Sequence, residues 1–179
     1  GLEEYSEIDK YCKEKGIAWF ASCWDEGSVD FIEQFNPPCY KIGSASLTDD
    51  NLLKYTRNIG KPVILSTGMS SMEQIEHAIN ILGNDQLIVL HCTSNYPCKP
   101  EELNWYMSKT LKETFGVPIG YSGHEVGVYS SFCAAILGAC IVERHITLDR
   151  AKWGSDQAAS LEPRGLERLT AEIRELSCI

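Results

Sequence analysis

The chain has 179 residues, 44% hydrophobic and 23% charged, which is the make-up of an ordinary globular domain with a sizeable core and excludes disordered and collagen-like classes. Its formal net charge of −9 at pH 7, with no basic cluster to offset it, argues against nucleic acid as a partner. No run approaches the roughly 18 apolar residues of a membrane span, and the start lacks a basic-then-apolar signal pattern, so the sequence reads as soluble and cytoplasmic, with no membrane partner.

Residues 2–15 carry Leu2, Tyr5, Ile8 and Tyr11 or Cys12 as one helical stripe that Gly16 ends. Residues 17–23 read as a buried strand. Residues 25–35 are helical with Val29, Ile32 and Phe35 on one face, and Pro37-Pro38 closes that helix before a short strand at 39–42. The alternation then continues with helix 49–58, strand 62–66, helix 71–82, strand 87–93, helix 101–115, strand 117–121, helix 127–137, strand 140–146 and a last helix at 163–176.

Near-continuous apolar strands alternating with amphipathic helices predict a parallel sheet in the α/β class. An open doubly wound sheet concentrates its chemistry in one glycine-rich loop after the first strand, whereas here every strand ends in polar residues, which favours a (β/α)8 TIM barrel. Such barrels run to about 250 residues, so about six of eight βα units are expected. Residues 1–179 are then a partial catalytic barrel without its first two strands.

Eight cysteines are scattered without C-x-x-C pairs and lie mostly in apolar runs, the pattern of buried free thiols rather than of disulfides or a zinc site.

The strand ends carry the chemistry. Tyr40-Lys41-Ile42-Gly43-Ser44, Leu65-Ser66-Thr67-Gly68-Met69, His91-Cys92-Thr93-Ser94-Asn95-Tyr96-Pro97 and Tyr121-Ser122-Gly123-His124 place hydroxyls, amides beside glycines and one lysine on a single rim. Directional donors plus a point charge are what a phosphate group needs. A lone serine at a strand end is commonly a turn former, but four such ends together point to a phosphate site. His124 and His145 lie one strand-helix-strand unit apart, and parallel neighbours bring their carboxyl ends side by side, so the two imidazoles suit a divalent metal. Glu143 shares the face of His145 while Arg144 points the other way. His77 reads as a solvated helix residue and His91 as a hydrogen-bonded core histidine.

Lys41-Ile42-Gly43-Ser44, Ser66-Thr67-Gly68-Met69-Ser70, His91-Cys92-Thr93-Ser94 with Tyr96-Pro97, Ser122-Gly123-His124, Glu143-Arg144-His145 and Gly154-Ser155-Asp156 together resemble the catalytic barrel of the sialic acid synthase family, which includes the N-acetylneuraminate, legionaminate and pseudaminate synthases. The resemblance covers essentially the whole chain. It implies a transferase that condenses phosphoenolpyruvate with an N-acetylated hexosamine, either N-acetylmannosamine or a 6-deoxy diacetamido sugar, to a nine-carbon 2-keto sugar acid with release of phosphate. It further implies that His124 and His145 ligate a divalent cation, with Mn²⁺ expected, and that Glu143 stands with them at the catalytic centre. Lys41, Ser44, Ser66, Ser94 and Ser122 would hold phosphoenolpyruvate with Thr93 nearby, and Tyr96, Glu143 and Asp156 would hold the acceptor, with Trp153 a further candidate at its far end. The full-length protein would be a homodimer whose C-terminal antifreeze-like domain, absent here, reaches the partner's site.

Three positions depart from the family pattern. Gly123 stands where many members carry Asp, Gln157 where a His is frequent, and Ser94 where some have Asn. Two other readings compete: a non-catalytic fragment that binds metal or self-associates through open sheet edges at 17–23 and 140–146, and another phosphoenolpyruvate-dependent keto acid synthase. The latter is disfavoured by the lack of a second Arg and Lys cluster for a sugar phosphate.

Overall fold

In the computed structural model, which describes residues 1–178, five strands form one parallel sheet: β1 (Tyr40–Ile42), β2 (Val63–Ser66), β3 (Leu87–Cys92), β4 (Ile119–Gly123) and β5 (Val142–Arg144), hydrogen-bonded in chain order. Helices α1 (Leu2–Lys15), α2 (Glu26–Glu33), α3 (Asp50–Asn58), α4 (Met72–Leu82), α5 (Tyr106–Phe115), α6 (Tyr129–Ile136) and α7 (Pro163–Leu176) accompany it. Each βα crossover carries the chain to the next parallel neighbour, as consecutive units of an α/β fold require. Side-chain caps help set three of the helix starts: Asp25 accepts from Ser28 N, Asp49 from Asn51 N and Leu52 N, and Ser71 forms a capping box with Gln74.

The register assigns the two faces. Lys41 pairs with Ile64, Ile64 with Ile88, Ser66 with Leu90, Cys92 with Ser122 and Ser122 with Glu143, so these residues share one face. The opposite face presents Ile42, Val63, Leu65, Leu87, Val89 and Ile119 to Leu53, Ile75, Ile79 and Leu111 of the helices, and that layer is the main core. A flat five-stranded sheet would separate β1 from β5 by about 19 Å, four steps of roughly 4.8 Å and more than two side chains span. Yet Lys41 Nζ on β1 lies 3.4 Å from Glu143 Oε2 on β5. The sheet is therefore curled, and its concave face encloses the polar residues.

The sixth strand is a correction. Residues 17–23 form no ladder; only Ser22 pairs, in a single parallel bridge to Lys41, and Ile17 and Phe20 are 63% and 41% exposed. A run at the edge has one neighbour to bond, and here its apolar content packs sideways instead. Trp19 joins an aromatic cluster with Tyr5 and Phe35, and Cys23 joins Val29 and Ile32. The helix expected at 101–115 is also divided. A 3-10 turn at Pro100–Glu102 is cut off by Asn104 at φ 43, and α5 starts only at Tyr106. The strands expected at 117–121 and 140–146 shift to 119–123 and shorten to 142–144, with Ile146 keeping one bridge to Leu161.

All eight cysteines are free thiols. Among the described residues no helix is long and apolar enough to cross a membrane. Leu65 is fully buried on the helix-facing side of β2, so Leu65→Ala is expected to cost about 2–5 kcal/mol by urea unfolding. A loss under about 1 kcal/mol would mean that the layer does not pack as described.

Candidate active site

The concave face ends in a cavity of about 440 Å³ at the carboxyl ends of the strands. Nine of the eleven residues expected at a site line it: Lys41, Ser44, Ser66, Ser94, Tyr96, Ser122, His124, Glu143 and His145. Thr93 and Asp156 stand just outside. The Thr93 hydroxyl donates to the Glu102 carbonyl at 3.1 Å, so it is the Thr93 main chain, not its side chain, that serves the cavity. Asp156 Oδ2 faces His145 Nδ1 at 3.5 Å, and Ser155 donates to the other oxygen of the same carboxylate at 2.7 Å. A larger groove of about 550 Å³ runs between α5 and α6 on the outer wall and contains none of these residues.

The anionic and cationic groups are arranged across the curl. Lys41 is only 7% exposed, and the ion pair it makes with Glu143 is completed by Ser122 Oγ, which donates to Glu143 Oε1 at 2.8 Å. An ammonium has three donors, and one neighbouring carboxylate leaves capacity for a further anion. Ser66 Oγ is buried without any partner, although a buried hydroxyl normally has one. Such an orphan on the wall of a polar cavity suits a ligand oxygen.

The two imidazoles meet as their spacing predicts. Their ring centroids are 5.1 Å apart, and the Tyr96 ring lies 4.0 Å from His124 and 5.5 Å from His145. His124 is buried, and its Nδ1 donates to the Thr93 carbonyl at 2.7 Å, so that in the neutral ring the lone pair is on Nε2. The Asp156 carboxylate beside His145 Nδ1 favours the same tautomer there. Burial, reinforced by His124 alongside, holds the His145 imidazole below its ordinary pKa and therefore neutral, the form that ligates. At His124 burial acts in the same direction but is outweighed by the Cys92 sulfur and the Thr93 carbonyl, so its pKa moves up. Burial, with Cys92, Asp156 and Glu143 nearby, pushes the Tyr96 phenol up to about 12, so it stays protonated and serves as a donor. These donors fit a cation held by two imidazoles. Among the described residues no group of three or more His, Cys, Asp or Glu converges as a closed metal centre.

His91 behaves as expected of a core histidine: it lies on the helix-facing side, and its Nε2 bonds the Leu103 carbonyl at 2.7 Å. His77 is exposed and pairs with Asp50 at 3.0 Å. Cys92 was overlooked because a cysteine in an apolar run reads as core. It reaches the floor of the cavity, 3.7 Å from Ser44 Oγ and 3.8 Å from His124 Nδ1. The period-2 alternation that turns Ser66 and Ser122 inward contained that signal. Gly68 belongs to a strand end whose amides are expected on the phosphate rim, and the structure gives it a further part. Its backbone N–H donates to Ser44 Oγ at 2.9 Å, and a Cβ there would lie 2.1 Å from Ser94 Oγ, so the β2 loop closes against both serines.

Comparison with known proteins agrees with the geometry. The chain is 40% identical over 175 residues to the N-acetylneuraminate-9-phosphate synthase of Drosophila melanogaster, covering 96% of this chain and 47% of that protein. It is 36% identical over 180 residues to the N,N'-diacetyllegionaminic acid synthase of Campylobacter jejuni, covering 98% and 54%. The crystal structure of N-acetylneuraminic acid (sialic acid) synthetase from Leptospira borgpetersenii serovar Hardjo-bovis in complex with citrate superposes with a TM-score of 0.93 at 33% identity, over 98% of this chain and 62% of that one. The chain thus spans about half the length of the curated relatives it matches. A family model described as the NeuB family matches residues 1–179 from end to end, and with these sialic acid synthase relatives beside it the chain belongs to that family.

Proposed function

We propose that this chain is the catalytic barrel portion of a sialic acid synthase type enzyme that joins phosphoenolpyruvate to an N-acetylated hexosamine. The observation that carries the reading is the cavity, which gathers onto one rim a lysine, four serines, two histidines, a tyrosine and a glutamate drawn from five strand ends. In the balanced reaction the enol carbon of phosphoenolpyruvate bonds to the aldehyde carbon of the open-chain sugar. One water adds at C2, and inorganic phosphate leaves with cleavage of its C–O bond.

Lys41 sets a positive charge against the phosphate or carboxylate of phosphoenolpyruvate, and the Ser44, Ser66 and Ser94 hydroxyls supply directional donors around it, while Ser122, whose proton goes to Glu143, lines the same wall. Glu143, held by Ser122 and Lys41, accepts from acceptor hydroxyls while keeping its charge toward the ammonium. Tyr96 donates its phenolic proton and covers the imidazoles with its ring. His124 and His145 would hold the divalent cation, with Mn²⁺ favoured by a shell otherwise filled with substrate and water oxygens. When bound there, such an ion supplies a Lewis acid for the acceptor carbonyl. The Thr93 carbonyl and Asp156 keep both rings aimed with Nε2 inward.

The acceptor's far end is the open variable. Phosphoenolpyruvate contributes three carbons, so C9 of a nine-carbon product is C6 of the hexosamine, and the Drosophila relative is named for a 9-phosphate product. The deciding assay measures phosphate release and product mass in the full-length protein with phosphoenolpyruvate, Mn²⁺, and either N-acetylmannosamine or its 6-phosphate. Turnover with one of the two, abolished by a chelator and restored by Mn²⁺, is the expected result. No phosphate release with either acceptor, nor with a 6-deoxy diacetamido sugar, would end this reading.

A further inference from the structure

Behind the imidazoles, on the opposite side of the same two strand ends, lies a charged cluster that the proposed reaction does not use. Glu125 follows His124 and Arg144 precedes His145. Their ion pair is 2.9 Å long, with side chains only 4% and 2% exposed. Arg144 also donates to the Gly127 carbonyl at 2.6 Å, Ser131 Oγ at 2.9 Å, the Ala159 carbonyl at 3.2 Å and the Glu125 carbonyl itself. Glu125 in turn accepts from Tyr121 OH at 2.9 Å and Ser131 Oγ at 3.0 Å.

We propose that the Glu125–Arg144 pair is a positioning clamp that sets the separation and aim of the His124 and His145 side chains. The clamp joins the residue after one histidine to the residue before the other, so any slip between the ends of β4 and β5 must break a buried charge pair. It also reaches the segment bearing Asp156, because Ala159 N donates to the Asp156 carbonyl at 3.1 Å while the Ala159 carbonyl receives Arg144. The main chains of both histidines are pinned in the same way: Cys98 N donates to the His124 carbonyl at 2.9 Å and Leu161 N to the His145 carbonyl at 2.8 Å.

Gly123 belongs to this device. A Cβ at that position would meet Glu125 Oε2 at 2.6 Å, Tyr121 Cε1 at 2.8 Å and Arg144 Cδ at 3.0 Å. The space a side chain would take at Gly123 is filled by the Glu125 carboxylate, two residues on. Glycine is the residue that leaves room for it.

The effect on metal rests on the reading under Proposed function; the effect on backbone protection does not. The variants are Arg144→Lys, which keeps the charge but loses the fork, and Tyr121→Phe, which removes one donor to Glu125 while keeping the ring that stacks on Trp105. Two quantities are measured in the intact protein: hydrogen exchange at the Cys98 and Leu161 amides, and the Kd for Mn²⁺ from the electron paramagnetic resonance signal of the free ion. Tyr121→Phe should fold even if Arg144→Lys does not. Expected are faster exchange at those two amides than across the β2–β3 ladder and Mn²⁺ binding weaker by about tenfold, at circular dichroism unchanged from the parent. Unchanged exchange, or faster exchange with unchanged Mn²⁺ affinity, in a folded variant overturns the clamp. A parent protein that takes up no Mn²⁺ removes the metal reading instead, and the exchange rates alone then decide whether the clamp exists.

Discussion

Replacing His124 with alanine is expected to abolish Mn²⁺ uptake and lower phosphate release by on the order of 10³-fold or more, beyond the 10–100-fold that loss of a supporting partner costs a metal site. His145 alone leaves one imidazole where two were paired with ring centroids 5.1 Å apart, and the Thr93 carbonyl loses its donor. Other histidines provide the contrast. His77→Ala, on the surface against Asp50, is expected to leave Mn²⁺ affinity and turnover within twofold, because it touches nothing in the cavity. Metal titration and initial rates on both variants check the pair, and a His124→Ala protein that keeps its metal and more than a tenth of its rate would assign the imidazole a packing role.

Gly68→Ala is expected to lower kcat/KM for phosphoenolpyruvate about 10²-fold while the protein still folds. The added methyl would sit 2.1 Å from Ser94 Oγ and 2.9 Å from Ser44 Oγ. Both obstacles are rotatable hydroxyls, so the clash is relieved by turning them away, and the loss falls on the site rather than on the core. Cys92 Sγ at 3.1 Å gives less easily and limits how far the loop can settle. A double-mutant cycle separates the causes: in a Ser94→Ala background the obstructing oxygen is gone, so Gly68→Ala should cost several-fold less than in the parent. An undiminished cost in that background would mean that the loop backbone, not the serine, is what the methyl displaces.

The class of fold was legible because apolar runs alternated with helical stripes, and five of six expected strands formed within two or three residues of their expected bounds. Where the reading missed, a neighbour decided. Residues 17–23 have a strand's composition, but hydrogen bonding requires a partner along the whole run, and Trp19 and Cys23 found aromatic and aliphatic contacts instead. Asn104 ended a helical pattern by adopting a positive φ that nothing in the periodicity announced. Most of the candidate site was legible too, since polar residues at strand carboxyl ends have few structural reasons to recur. Cys92 was missed because residue type outweighed position, and for Arg144 the strand alternation gave the face opposite Glu143 but not the partner, which is Glu125.

By itself the sequence determined which residues alternate inward, which strand ends are polar, and that two histidines stand one βα unit apart. Those are local properties, set by a period of two along each strand and by the short reach of turn chemistry. Only the tertiary structure decided that the sheet curls far enough for Lys41 on the first strand to touch Glu143 on the fifth, that His124 presents Nε2 because the Thr93 carbonyl takes Nδ1, and that Glu125 fills the space beside Gly123. The first two join segments about 30 to 100 residues apart, and in the third Arg144 from the next strand holds Glu125 in place, positions set by packing of the whole layer and not by any window of the chain.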